Sequence, residues 1–153
     1  MLSDLKSKAG AKGIDAKKLA GIVVDDEAAK QTGSWGHSAS TGIYVGSGYL
    51  HDNNENKGKK SVRFAPKFEK AGKYEVFFHF STASNRATNV PVVVKSADGE
   101  KTVKVDQKKS FGEKGQSLGT FTFEAGESGH VEIRTEGTDG HVIADAVRFV
   151  LAK

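Results

Sequence analysis

The chain has 153 residues, of which 37% are hydrophobic, and this is enough for one globular domain with a buried core. Its 23 basic residues are offset by 19 acidic ones, so the net charge of +4 falls short of a nucleic-acid-binding surface. The sequence has no cysteine, which excludes disulfides and thiolate metal sites. No apolar run approaches the roughly 20 residues of a membrane span, and the first one, residues 21–24, is too short for a signal peptide.

The N-terminal residues 1–20 are rich in Lys, Ala and Gly, a composition typical of a linker or of the remnant of an upstream domain. Leu2 and Leu5 could begin a short helix within this segment. The first strand is predicted at residues 21–25, and it begins a second unit, residues 21–153, that we expect to fold as one module.

Alternating apolar residues predict the strands that follow. A short aromatic stretch at 44–50 and a strand at 61–65 precede the most strongly patterned part of the chain. That part is predicted to hold three strands, at 73–81, 91–97 and 102–105.

Short strands separated by turn signals continue to the C-terminus. Asp98 and Gly99 are predicted to form a type I′ turn, which needs positive φ at both central residues. Further strands are predicted at 119–123, 131–134 and 141–151. About eight or nine strands without a convincing core helix indicate an all-β fold, an antiparallel β-sandwich of the jelly-roll, galactose-binding-like kind.

A polar loop at residues 81–89 follows the first of the central strands and carries Asn85, Arg86 and Asn89. Loops held by rigid strands are where binding groups concentrate. These side chains could bind sugar hydroxyls, and the Arg86 guanidinium suits the carboxylate of an anionic glycan. Alternatively, Arg86 ties the loop to a neighbouring carboxylate and the two Asn residues cap turns.

Three aromatic residues, Trp35, Tyr44 and Tyr49, are predicted to lie outside regular strands, where their rings could stack on the apolar face of a sugar. Trp35 could instead close one end of the sandwich. His51 is a further candidate for ligand binding. We interpret the His51-Asp52 pair as a hydrogen-bonding pair of the loop rather than as a catalytic dyad, because adjacent strand residues point to opposite faces.

On the first central strand, Phe77 and His79 fall on the face opposite the core-facing row. This face could form a floor for a sugar ring. The interpretation that we favour is that the second sheet or the N-terminal segment covers it.

One carboxylate, Asp145, interrupts the apolar row of the last strand between Ile143 and Val147. A carboxylate among core residues must be paired, hydrogen-bonded or metal-bound, unless a bulge turns it outward. First and last strands often pair in such sandwiches, so Asp145 could share a structural calcium ion with Asp25 or Asp26.

Several segments occur in an order that resembles one domain family. They are GIVVDDEAA, the tryptophan of GSWGHS, YVGSGYLHD, AGKYEVFFHF, SNRATNVPVVV, SLGTFTFEAGESGHVEI and GTDGHVIADAVRFV. Over residues 21–150 the chain resembles the golvesin C-terminal-like domain, and the most specific segments are NRATNVPV and DGHVIADAVRF. The resemblance implies a β-sandwich accessory module like the terminal domain of xanthan lyases and of some proteins assigned as FAD-dependent oxidoreductases.

From the residues and the resemblance we expect a non-catalytic carbohydrate-binding module that targets an attached enzyme to a polysaccharide, and lysine-rich loops are compatible with an anionic one. Motifs of metalloproteases, phosphate-binding loops, nucleophile elbows and dinucleotide-binding folds are missing from the sequence. We expect an extracellular or periplasmic location within a longer exported protein, with neither a nucleic-acid partner nor a membrane span. The alternative is a structural or protein-interaction domain that packs on its parent protein or mediates cell-surface assembly.

Overall fold

The computed structural model of the chain describes residues 13–40 and 43–152. Within this part of the chain are fourteen short strands and three single-turn 3₁₀ helices, at Ala16–Lys18, Asp26–Ala28 and Gly112–Lys114. The strands are β1 (Gly13–Ile14), β2 (Ile22–Asp25), β3 (Lys30–Thr32), β4 (Gly36–Ser38), β5 (Tyr44–Val45), β6 (Tyr49–His51), β7 (Ser61–Phe64), β8 (Gly72–His79), β9 (Val90–Ser96), β10 (Gly99–Val105), β11 (Gln116–Phe123), β12 (His130–Arg134), β13 (Ile143–Ala144) and β14 (Ala146–Leu151). None of the helices in the described residues has the length and hydropathy of a transmembrane segment.

Two antiparallel sheets form the sandwich. The larger sheet has the strand order β10-β9-β12-β7-β3, and the smaller has the order β11-β8-β14-β2. Alternation along the central strands explains the packing, because Val76 and Phe78 of β8 and Val92 and Val94 of β9 all lie in one fully buried core. The prediction of an all-β antiparallel sandwich is therefore confirmed.

A smaller layer lies outside these two sheets. It consists of the three-stranded sheet β13-β6-β4 and the parallel pair β1–β5. Tyr44, Tyr49 and Ile143 form a separate apolar cluster there, and Phe80 packs against both this cluster and the main core. The predicted last strand is divided at Asp145, where the chain passes from this layer into the sandwich.

The β9–β10 hairpin is present, but its turn differs from the prediction. Ser96 pairs with Gly99, so the two turn residues are Ala97 and Asp98. A type I′ turn requires positive φ at both central residues, and of Asp98 and Gly99 only Gly99 has one, at 107°. The type I′ assignment was wrong, although the backbone at Gly99 still favours glycine.

The described residues before β2 contact both the smaller layer and the sandwich. Strand β1 pairs with β5, and Nη1 of Arg148 donates a hydrogen bond to the carbonyl oxygen of Ala20 at 3.2 Å. The predicted helix near Leu2 and Leu5 lies outside the described residues. The boundary between linker and module at residue 20 stays a prediction.

Candidate functional site

One open cavity brings together four of the residues predicted to bind a ligand. Its volume is about 180 Å³, and its lining is polar and aromatic. The lining residues are Ser38, Ser40, Tyr49, His51, Asn85, Arg86 and His141. We call this the Arg86 cavity. Sequence reasoning missed Ser38, Ser40 and His141, because a serine or histidine in a polar stretch gives no signal until the fold brings it to a site.

The Arg86 side chain is buried, with 6% of its surface exposed, and the loop that carries it holds its guanidinium. Nε donates to the carbonyl oxygen of Ser81 at 3.1 Å, and Nη2 donates to the Ser81 hydroxyl at 2.9 Å. Nη1 donates to Oδ1 of Asn85 at 2.7 Å, and Nη2 lies 3.5 Å from the hydroxyl oxygen of Tyr49. These contacts occupy most of the guanidinium N–H groups. Arg86 thus ties its loop, although through hydroxyl, carbonyl and amide groups rather than through a carboxylate.

Backbone hydrogen bonds join this loop to the segment before β13. The N–H of His141 donates to the carbonyl oxygen of Asn85 at 2.9 Å, and the N–H of Ala87 donates to the carbonyl oxygen of His141 at 2.8 Å. Because these bonds flank Arg86 on both sides, they fix the loop against His141. This pairing explains why two segments far apart in the sequence line one cavity.

Asn89 does not line the Arg86 cavity. Its Nδ2 donates to the carbonyl oxygen of Gly137 at 2.9 Å, and its Oδ1 accepts the N–H of Asp139 at 3.1 Å. The Asp139 carboxylate in turn accepts the N–H of Thr88 at 2.7 Å. Asn89 therefore cross-links two loops, as the turn-capping alternative suggested.

His51 forms one wall of the cavity, and burial, followed by the nearby His141 and Arg86, lowers its pKa. Its Nδ1 is buried and has no hydrogen-bond partner among the described residues. Asp52 points elsewhere, because its Oδ1 accepts the N–H of Val142 at 3.0 Å and its Oδ2 lies 2.6 Å from Nζ of Lys57. The two side chains therefore do not act as a base and its orienting partner.

The three predicted aromatic residues do not form an exposed platform. Trp35 is half-buried against the main core, and its Nε1 donates to the carbonyl oxygen of Thr32 at 3.0 Å, which agrees with the alternative role of closing the sandwich. Tyr44 and Tyr49 are buried with ring centroids 6.0 Å apart. The prediction that they lie outside strands was wrong, because they belong to β5 and β6. Of the three, only Tyr49 lines the Arg86 cavity.

The face that carries Phe77 and His79 is covered, as we favoured. Both side chains have 4% of their surface exposed. The guanidinium carbon of Arg148 lies 4.2 Å from the Phe77 ring centroid, and Nε of Arg148 donates to Nε2 of His79 at 3.1 Å. Nη2 of Arg148 donates to the carbonyl oxygen of Lys114 at 2.9 Å, so a loop and the N-terminal segment close over this face.

The three carboxylates predicted to bind a cation influence one another. Oδ2 of Asp145 accepts the N–H of Val45 at 2.7 Å, whereas its Oδ1 and both carboxylate oxygens of Asp26 are buried without a hydrogen-bond partner among the described residues. Burial, together with the neighbouring Asp25, raises the pKa of Asp26 to about 8. Burial, reinforced by Asp25 and Asp26, raises the pKa of Asp145 well above its ordinary value.

The arrangement of these carboxylates is not a complete coordination sphere for a metal ion. Among the described residues, no group of three or more His, Cys, Asp or Glu side chains is already placed to hold a metal ion. Oδ1 of Asp25 accepts the N–H of Asp26 at 2.8 Å, and Nε2 of His37 lies 3.8 Å from Oδ2 of Asp26, beyond hydrogen-bond distance. Asp145 is fully buried, so no bulge turns its side chain to solvent. Carboxyl oxygens are the kind of donor that calcium takes, and calcium stays a prediction.

The fold is shared with β-sandwich modules of carbohydrate-active proteins. A family 35 carbohydrate binding module from Clostridium thermocellum superposes with a TM-score of 0.59 at 13% identity, over 87% of this chain and 99% of that one. At this level of identity the likeness concerns the fold alone.

A closer similarity identifies the family. The chain belongs to the Golvesin C-terminal domain family, whose sequence model matches residues 22–151. It is 40% identical over 139 residues to the xanthan lyase of Bacillus sp. (strain GL1), which covers 87% of this chain and 15% of the enzyme. The structure of Paenibacillus xanthan lyase matches with a TM-score of 0.82 at 36% identity, over 88% of this chain and 13% of that one. The predicted family resemblance is confirmed, and the chain corresponds to a small part of either enzyme.

Proposed function

We propose that this domain is a non-catalytic carbohydrate-binding module that binds a polysaccharide at the Arg86 cavity. The observation that carries the proposal is the convergence of Tyr49, His51, Asn85, Arg86 and His141 on one open cavity. Hydroxyl, imidazole, amide and guanidinium groups beside an aromatic ring suit both the hydroxyls and the apolar face of a sugar.

The binding groups are pre-organised. Arg86 is fixed by Ser81 and Asn85, and Asn85 is fixed by the backbone of His141, so little side-chain entropy is lost when a sugar binds. The cavity is open and most Arg86 donors are already engaged, which limits the number of new hydrogen bonds. We expect affinities on the order of micromolar to millimolar.

The contacts of His51 and Asp52 support binding without catalysis. A general base needs a partner that orients it toward a proton to be removed. Asp52 is instead engaged by Lys57 and by the backbone of Val142. The domain is therefore proposed to hold its substrate for a catalytic domain elsewhere in the same protein.

We further propose that the parent protein is exported and acts in an extracellular or periplasmic location. Similarity to 15% of a xanthan lyase supports an appended module and makes xanthan the first polysaccharide to test. An anionic glycan is favoured by the positive charge of Arg86, which lines the cavity, and by the net charge of +4.

A structural calcium ion at Asp25, Asp26 and Asp145 is also proposed. Three buried carboxyl oxygens without hydrogen-bond partners among the described residues support it, because buried polar atoms without partners are costly. When bound, the ion would supply positive charge for these carboxylates. It would stabilise the fold and take no part in chemistry.

The test is a glycan array that includes xanthan fragments, followed by calorimetric titration of the best-bound polysaccharide. His141→Ala removes the imidazole from the cavity but keeps the backbone bonds to Asn85 and Ala87, so we expect about tenfold weaker binding and an unchanged melting temperature. Ser84→Ala is the matched control, because Ser84 is exposed on the same loop and does not line the cavity. Equal affinities for wild type and His141→Ala would refute this location of the site.

The alternative function is a protein-interaction domain that packs on its parent protein. The observation that favours this alternative is an apolar cleft of about 400 Å³. It is lined in part by Ile22, Tyr74, Phe149 and Leu151, and Leu151 has 39% of its surface exposed, so an apolar surface is available to a protein partner. The absence of any glycan hit together with binding of this domain to the rest of its parent protein would support this alternative. Leu151→Asp should then abolish the interaction.

A further inference from the structure

A second cavity, of about 80 Å³, exposes apolar side chains that a globular domain normally buries. Ile43 and Phe111 line it, and they are two of the three large apolar residues exposed among the described residues, each with 44% of its surface accessible. Phe80 lies deeper, with its ring edge-on to Phe111 at a centroid distance of 6.4 Å. We call this the Phe111 cavity.

Neutral polar groups complete the Phe111 cavity. Thr82 and Ser110 supply hydroxyls, and Gln116 supplies an amide whose Oε1 is buried without a hydrogen-bond partner among the described residues. An unsatisfied buried acceptor is costly, so the Gln116 amide gains from any hydroxyl donor that reaches it. None of the described lining residues is charged. Rings with neutral donors and acceptors are the chemistry that recognises an uncharged sugar unit.

Residues of both cavities come from one short segment of the chain, residues 82–86. Ser81 holds the Arg86 guanidinium, and the next residue, Thr82, lines the Phe111 cavity. From Thr82 to Arg86 the extended chain spans at most about 14 Å, at 3.3–3.6 Å per residue. An oligosaccharide of a few units is therefore long enough to reach both cavities.

We propose that the Phe111 cavity is a second sugar subsite. In it the Phe111 ring stacks on an uncharged unit of the polysaccharide, while a neighbouring polar or anionic unit of the same polysaccharide enters the Arg86 cavity. This inference rests on the proposed carbohydrate-binding function. It requires that affinity rise with chain length, since only a longer fragment occupies both cavities. It also requires that Phe111 contribute to the binding of long fragments alone.

The experiment is calorimetric titration with the polysaccharide fragments of the binding test above, xanthan fragments first, separated by length from the disaccharide upward. Phe111→Ala should bind the longer fragments about tenfold more weakly and the shortest fragment as wild type does. Phe111→Tyr should retain the wild-type length dependence, because the ring is kept. Leu151→Ala is the matched control, since it shortens a similarly exposed apolar side chain in a different cleft.

The outcomes separate the subsite from the function on which it rests. Equal affinity of wild type and Phe111→Ala for every fragment, with weaker binding by His141→Ala, would overturn the subsite and leave the Arg86 cavity as the binding site. Loss of all binding in Phe111→Ala, including that of the shortest fragment, would also overturn the division into two subsites. A wild-type domain that binds no fragment would overturn both proposals.

Discussion

The hydrogen bond between Arg148 and His79 predicts how the stability of the domain depends on pH. Nε2 of His79 accepts a hydrogen bond from Nε of Arg148, so the imidazole must be neutral in the folded protein. Burial, followed by the Arg148 charge, lowers the pKa of His79 from 6.5 to about 4. His79→Gln keeps an acceptor near the position of Nε2 but cannot take up a proton in this range, which makes it a suitable perturbation.

The sign and the magnitude follow from proton linkage. Between pH 6.5 and about 4 the unfolded chain binds a proton at His79 that the folded chain does not, so the free energy of unfolding falls as the pH falls. The stabilisation is fully present above pH 6.5 and is lost as the pH approaches 4. At 1.36 kcal/mol per pH unit, this loss is on the order of 3 kcal/mol.

The measurement is urea unfolding of wild type and His79→Gln at pH 7.5, 6.0, 5.0 and 4.5. We expect the free energy of unfolding of wild type to fall with decreasing pH more steeply than that of the variant. The difference between the two proteins isolates His79, because His51 and His130, whose pKa values are also lowered by burial, are present in both. Parallel pH profiles for the two proteins would refute the reasoning.

Three further predictions concern stability. Arg86→Ala should lower the free energy of unfolding by about 2–4 kcal/mol, because it leaves the fully buried Ser81 without donors; an unchanged urea midpoint would contradict this. Calcium at a hundredfold excess over Kd should stabilise the domain by about 2.7 kcal/mol and raise Tm by roughly 5–10 °C, reversibly with chelator and not in Asp145→Asn; chelator-stripped wild type without this response would exclude the ion. Gly99→Val should cost about 1–2 kcal/mol, because φ is 107°, a conformation that L side chains rarely adopt. An added Cβ would meet no atom within 4 Å, so the cost comes from the backbone, and an unaltered thermal melt would contradict it.

The strands of the sandwich could be predicted from the sequence because each carries its own signal. Val76 and Phe78 alternate with residues of the opposite face, and the β9–β10 hairpin is marked by Gly99. The face of Phe77 and His79 could also be interpreted as covered, as the structure shows it to be. What covers it could be predicted only in part. The N-terminal segment was one of the expected covers, but Arg148 and Lys114 come from distant parts of the chain.

The candidate site could be predicted only in part. Asn85 and Arg86 were found because they share one polar loop, but the cavity also needs His141, which backbone pairing brings to that loop. The hydrogen bonds from Arg86 to Ser81 could not be predicted from the sequence, since such contacts depend on the conformation of the loop. Phe111 was missed because a single aromatic residue in a Lys- and Gly-rich loop forms no sequence pattern.

The smaller layer connects the carboxylate cluster with the Arg86 cavity. Oδ2 of Asp145 accepts the N–H of Val45. The next residue is Gly46, and the Asp25 carboxylate lies where a side chain at this position would be. On the other side of Val45, Tyr44 packs with Tyr49, whose hydroxyl edge faces Arg86. Any group that balances the buried carboxylates would therefore stabilise this layer as well as strand β2 of the sandwich, which carries Asp25. Loss of that balance should loosen the ligand-binding layer before it unfolds the two main sheets, since the sheets keep their own fully buried core.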